Sequence, residues 1–125
     1  MTVASWNCNG WYLSRQNDTS ILLRKNILNA LDCDVVGICE THLLQNQNIS
    51  VEGYRWIGSN RRHISNNAWR GSGGIGFLIK NYLFDTYDVD ILDNSRDDIL
   101  WINLKDKLDQ NFILHLCVCY LQPER

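Results

Sequence analysis

Residues 34–42 read Asp-Val-Val-Gly-Ile-Cys-Glu-Thr-His. The apolar run Val35–Cys39 has strand length and predicts a short buried strand. Glu40 closes it. A carboxylate is costly to bury unless it is paired or bound to a cation, so this strand end holds either half of an ion pair with an Arg or Lys, or a cation ligand. Upstream, Asn17, Asp18 and Thr19 are candidate N-caps. Leu23, Ile27, Ala30 and Leu31 then recur at helical spacing and predict an amphipathic helix over 19–31 with that stripe as its apolar face. Before the helix, Thr2–Asn7 reads as a short strand ending in a polar loop. A strand, a helix and a second strand at this spacing form a βαβ unit.

Downstream the texture becomes strand-rich. Tyr54–Ile57 is a short strand candidate, and the polar, basic stretch Asn60–Ser72 reads as a loop. Gly71-Ser72-Gly73-Gly74 is a flexible turn opening the strand Ile75–Lys80. Residues 85–92 alternate, with Tyr87, Val89 and Ile91 opposite Asp88 and Asp90, and Ile99–Leu104 alternates as well. Phe112–Tyr120 is nearly all apolar, which predicts a strand covered on both faces. The expected architecture is α+β. Thr2–Asn7, Val35–Cys39, Ile75–Lys80, Ile99–Leu104 and Phe112–Tyr120 are expected in one mostly antiparallel sheet with the helix packed on it.

A chain of 125 residues is enough for one domain and too short for two. No apolar run approaches the roughly 20 residues of a membrane-spanning helix, so a membrane partner is not expected. The N-terminus has no basic region followed by an apolar one, which argues against a secretory signal and for an intracellular protein, cytoplasmic or nuclear. The five cysteines are odd in number and lack zinc-finger spacing, so they read as reduced packing thiols. The Asn17 and Asn48 glycosylation sequons then read as chance matches. The net charge of −2 does not describe a strongly basic nucleic-acid binder. Its distribution is uneven, however: Arg61, Arg62, His63 and Arg70 gather in the central loop, either as a local basic patch or as a solvated loop.

Four stretches could carry chemistry. Ser5-Trp6-Asn7-Cys8-Asn9-Gly10 places two amides directly after a strand, where strand-end loops often build sites; a capped turn is the plainer reading. Cys39-Glu40-Thr41-His42 sets a carboxylate at the end of an apolar strand. The glycine run 71–76 lacks the lysine and following helix of a phosphate-binding P-loop and is better read as a turn. Tyr120 ends the most apolar strand, where a hydroxyl can reach a phosphate or simply meet water. His115, in mid-strand, reads as a packing histidine.

The order and spacing of these motifs resemble the endonuclease/exonuclease/phosphatase superfamily. The wording of Glu40-Thr41-His42-Leu43, Arg70-Gly71-Ser72-Gly73-Gly74 and Cys117-Val118-Cys119-Tyr120-Leu121 is most similar to the endonuclease domains of LINE-type (non-LTR) retrotransposons. The resemblance implies the N-terminal half of a four-layer α/β/β/α sandwich, with residues 1–125 a partial domain whose C-terminal catalytic half is absent. It implies Glu40 and Asn7 as ligands of Mg²⁺, with Mn²⁺ as a substitute, and Asn7, Glu40 and Tyr120 as the catalytic set. Asn9, His42, Arg61, Arg62, Arg70 and Arg125 are implied as phosphate or DNA contacts. By the resemblance, the family's Asp-x-Asn and Ser-Asp-His motifs belong downstream of residue 125, and none of the three histidines replaces the catalytic one by motif.

The expected function is therefore Mg²⁺-dependent phosphodiester hydrolysis of the endonuclease type, nicking DNA, in a truncated domain inactive by itself. The expected fold leaves the inner face of the first sheet open, to be covered by a missing C-terminal half or by self-association. Two alternatives stand beside it: a non-catalytic remnant that binds nucleic acid weakly, and a phosphoesterase acting on small phosphate esters.

Overall fold

Period-two alternation and apolar runs organise the chain into strands on either side of one long helix. A computed structural model describes residues 1–12, 19–61, 71 and 73–121. In chain order the elements are β1 (Val3–Asn7), α1 (Thr19–Leu31), β2 (Val35–Cys39), β3 (Tyr54–Ser59), β4 (Ile75–Lys80), α2 (Leu83–Thr86), β5 (Tyr87–Arg96), β6 (Ile99–Asp106) and β7 (Ile113–Cys119). The fold is α+β, as expected, but the strands form two sheets rather than one. The first has the order β1-β2-β4-β3 and the second β5-β6-β7. The β1–β2 pair is parallel, as the βαβ reading requires, and the other pairs are antiparallel.

The second sheet packs on the inner face of the first over β2 and β4, while the inner side of β1 stays open, with Val3 52% exposed. Val35, Ile75, Phe77 and Ile79 of the first sheet meet Leu100, Ile102, Leu104 and Val118 of the second, all buried. The alternation within β2 divides the labour: Val35 faces this inter-sheet core, while Val36 and Ile38 face a second core beneath α1 with Trp11, Leu28, Leu43, Ile49 and Leu78. A single run of five apolar residues thus serves two cores, which is why it carries no polar alternation.

Two expectations about burial are corrected. The helix has the predicted bounds, but the stripe Leu23, Ile27, Ala30 and Leu31 faces outward, with Leu23 59% exposed. The buried face carries Arg24 and Leu28, with Ile21 and Lys25 half-buried. Leucine and isoleucine occur almost all round this helix, so periodicity alone does not select a face. The guanidinium of Arg24 has a carbonyl to bind inside, and that favours the other one. Strand β7 is covered on one face only: Leu114, Leu116 and Val118 turn inward, while Ile113, His115, Cys117 and Cys119 are exposed. His115 is therefore not a core histidine; its Nδ1 lies 2.5 Å from Asn103 Oδ1 on the open face. All five cysteines are free thiols, and only Cys8 is fully buried.

Candidate active site

The parallel β1–β2 pairing builds the site. Its register sets Asn7 beside Cys39, so Asn7 and the residue just after β2, Glu40, emerge at the same end of the sheet. Tyr120 arrives from the second sheet, just past β7, anchored by its N–H donating to the Asp98 carbonyl at 2.9 Å. The Tyr120 hydroxyl and the Asn7 side-chain amide both come within hydrogen-bonding reach of the Glu40 carboxylate. Asn7 Oδ1 meanwhile accepts the Asn9 N–H at 3.0 Å. A carboxylate only accepts, so the Asn7 NH₂ is the group facing Glu40. Three strand ends from two sheets thus converge on one carboxylate.

The electrostatics follow from these bonds. The Tyr120 hydroxyl first, then the Asn7 amide and the nearby charge of His42, hold the Glu40 carboxyl below its usual range against the opposing effect of partial burial. The Tyr120 phenol is pushed up, chiefly by its bond to Glu40, with Arg61 opposing the shift. Glu40 is therefore an anion at neutral pH, and Tyr120 a neutral donor. The thiols beside them are quiet. Burial pushes Cys8 up to about 11 despite the charge of Arg24, and burial together with Glu40 raises Cys39. Neither is a thiolate nucleophile.

The backbone here is unusual. Asn9, Glu40 and His42 have φ of 50°, 52° and 53°, in the left-handed region that residues with a Cβ seldom enter. Backbone hydrogen bonds hold the segment from both sides. Gly10 N–H donates to the Glu40 carbonyl at 2.6 Å and Trp11 N–H to that of Thr41 at 2.8 Å. From the glycine run, Gly74 and Gly73 carbonyls accept from Thr41 and His42 at 3.2 and 2.8 Å, and Gly71 N–H donates to the His42 carbonyl at 2.9 Å. A Cβ on Gly71 would stand 2.0 Å from the Leu43 carbonyl oxygen, and one on Gly74 2.2 Å from Thr41 Oγ1. The glycines are needed because the strained Glu40–Leu43 segment lies against them. Their role is to seat the carboxylate-bearing turn.

The remaining site candidates divide. His42 and Arg61 lie within electrostatic reach of the cluster, and the Arg61 guanidinium passes close over Gly73. Asn9 is exposed in the loop that follows Asn7. Arg62, Arg70 and Arg125 lie outside the described residues. Arg24 was not anticipated. Only 9% exposed, it donates from its Nη2 to the carbonyl of Cys8 at 3.0 Å and ties α1 to the loop between Asn7 and Asn9. Its spacing to Leu28 on one helical face was the signal available.

The donor set fits a hard cation in type. Glu40 supplies a carboxylate, and Asn7 Oδ1 keeps a second lone pair beyond the one used by Asn9. It is a sparse set: among the described residues no three His, Cys, Asp or Glu side chains group as metal ligands. No helix among those residues is long and apolar enough to cross a membrane.

No family model and no curated protein matches the sequence. Among solved structures the chain is similar to the AP endonuclease LMAP from Leishmania major, with a TM-score of 0.70 and 17% identity over 94% of this chain. It spans 39% of that longer chain, and what the two share is the fold of an AP endonuclease.

Proposed function

We propose that this chain is the N-terminal part of a metal-dependent phosphodiesterase of the endonuclease type, acting on DNA, and that its lineage is the LINE-type retrotransposon endonucleases. The observation that carries the reading is the convergence of Asn7 and Tyr120 on an ionised Glu40 beside the ends of the parallel strands β1 and β2, with Tyr120 arriving from antiparallel β7. Crevices at the carboxyl ends of such strands are common ligand sites. Glu40 would hold Mg²⁺ or Mn²⁺, joined by the Asn7 oxygen once that amide turns from the carboxylate to the ion. Such an ion, when bound, supplies Lewis-acid neutralisation of phosphate charge. Tyr120 is a neutral hydroxyl donor toward a phosphate oxygen, and Arg61 a fixed positive charge beside it. The left-handed turn keeps the carboxylate at the strand end, so the site is preorganised before ligand arrives.

The reading includes a dependence on further chain. Strands β1 and β7 are sheet edges among the described residues. An apolar cleft of about 290 Å³ opens between them, lined in part by Val3, Phe77, Leu116 and Val118. Further strands of a longer domain, or a second copy, would add there. Proton transfer by a positioned acid or base is worth roughly 10²–10⁴ in rate, and this reading assigns it to the further chain. The 125-residue chain alone is accordingly proposed to bind Mn²⁺ weakly and not to nick DNA.

The test pairs Mn²⁺ binding, followed by electron paramagnetic resonance, with a plasmid-nicking assay. The expected result is weak Mn²⁺ binding that Glu40→Gln removes and no nicking. Mn²⁺ binding equal in wild type and Glu40→Gln would overturn the metal assignment. EDTA-sensitive nicking lost in Glu40→Gln would overturn the dependence on further chain.

A further inference from the structure

Arg24 is the one charged side chain that is buried among the described residues. A buried cation is costly unless it is hydrogen-bonded, and here Nη2 donates to the Cys8 carbonyl at 3.0 Å. That carbonyl belongs to the peptide group joining Cys8 to Asn9, and the other end of the same group is the Asn9 N–H. The Asn9 N–H donates to Asn7 Oδ1 at 3.0 Å. A peptide group is planar and rigid, so a hold on its oxygen also fixes the direction of its hydrogen. This one is held against strain. Asn9 has φ of 50°, and rotation of the 8–9 peptide would return that angle to the ordinary negative range. Cys8 itself is fastened separately, by its N–H donating to the Cys39 carbonyl at 3.2 Å. The peptide beyond it is therefore the part with room to turn, and Arg24 grips its oxygen.

We propose that Arg24 is a positioning residue of the Glu40 site: it locks the Cys8–Asn9 peptide in its strained orientation and thereby sets the side chain of Asn7. The consequence for a cation rests on the site reading above. With the Asn9 N–H aimed at it, the Asn7 oxygen is kept at the end of β1, where an ion on Glu40 would take it. Without the guanidinium two effects act together. The buried Cys8 carbonyl loses its donor, and Asn9 relaxes out of the left-handed region. The Asn9 N–H then turns away, and the Asn7 amide is no longer held. Arginine suits the task because its planar fork reaches from the helix with little freedom left to lose. The role is geometric rather than electrostatic. A positive charge by itself opposes a cation at Glu40, so charge and position predict opposite signs.

Two measurements on the full 125-residue chain test this. The scalar coupling between the amide and Cα protons of Asn9, read by NMR without metal, reports φ. Mn²⁺ binding is followed by electron paramagnetic resonance. Arg24→Met keeps the aliphatic length and removes the donors and the charge. It is expected to raise the Asn9 coupling to the large value of an extended residue. It should also weaken Mn²⁺ binding about tenfold, the low end of what residues that orient a metal ligand cost. Arg24→Lys keeps the charge without the fork and is expected to fall between wild type and Arg24→Met; it carries the test if Arg24→Met does not fold. Leu28→Ala removes core packing from the same buried helix face and keeps the Arg24 donor, so both readouts should stay as in wild type. The proposal is overturned if Arg24→Met keeps the wild-type Asn9 coupling, if it binds Mn²⁺ as well as or better than wild type, or if Leu28→Ala changes the readouts as much. If the wild type binds no Mn²⁺ while the Asn9 coupling changes in Arg24→Met and not in Leu28→Ala, the metal reading falls and the positioning of Asn7 stands.

Discussion

Replacing Gly74 by alanine tests the claim that the glycine run is shaped by the turn it supports. Two costs are separable. The first is conformational: φ at Gly74 is +89°, and an L-residue with positive φ costs about 1–2 kcal/mol. The second is steric. The new Cβ would stand 2.2 Å from Thr41 Oγ1, and Thr41 is fully buried, so its hydroxyl has no room to withdraw. Overpacking of this kind costs roughly 1–3 kcal/mol. The sum is about 2–5 kcal/mol, a large part of the 5–15 kcal/mol that holds a typical domain. Removing the obstructing atom isolates the second cost. Thr41 Oγ1 has no hydrogen-bond partner among the described residues, so Thr41→Ala alone should cost only about 1 kcal/mol, for the buried γ-methyl it deletes. Measured against Thr41→Ala, the Gly74→Ala loss in the double variant should shrink by about 1–3 kcal/mol, leaving the conformational cost in place. Urea unfolding of all four proteins, with m-values compared, measures this cycle. A loss below about 0.5 kcal/mol in Gly74→Ala, or no recovery in the double variant, refutes the reasoning.

Leu28→Ala is expected to cost about 2–5 kcal/mol because the side chain is fully buried, and Leu23→Ala less than about 0.5 because it is mostly exposed; equal effects in urea unfolding would reverse the helix orientation. The Glu40 carboxyl, held below its usual range mainly by Tyr120, contributes stability above its unfolded pKa and loses it as pH falls through the lower folded value. Tyr120→Phe should therefore raise the Glu40 titration midpoint toward an ordinary glutamate, measured from its side-chain carboxyl carbon by NMR. Iodoacetamide should modify exposed Cys117 and Cys119 well before Cys8, whose thiol is buried and raised to about 11; mass spectrometry of a time course distinguishes them.

The site's geometry also explains why its residues could be proposed before they were located. Asn7, Glu40 and Tyr120 each follow an apolar strand, and a polar group there is conspicuous against what precedes it. Arg24 had no such contrast. It is an arginine on a leucine-rich helix, and it takes its meaning from a carbonyl supplied by a distant segment.

Local pattern was sufficient to locate strands β1, β2, β4, β6 and β7 and to bound α1 at Thr19–Leu31, because alternation and helical period are written within a few residues. It also singled out the carboxylate and amides at the strand ends. Tertiary structure decided what pairing over long separations decides. It divided the strands between two sheets, since sheet membership depends on hydrogen bonds between segments tens of residues apart. It chose the helix face with Arg24 over an equally apolar stripe, because the Cys8 carbonyl awaited a donor there. And it turned a glycine-rich turn into the seat of Glu40: only the folded chain brings residues 71–74 against 41–43, where the backbone and Thr41 leave no space for a Cβ on Gly71 or Gly74.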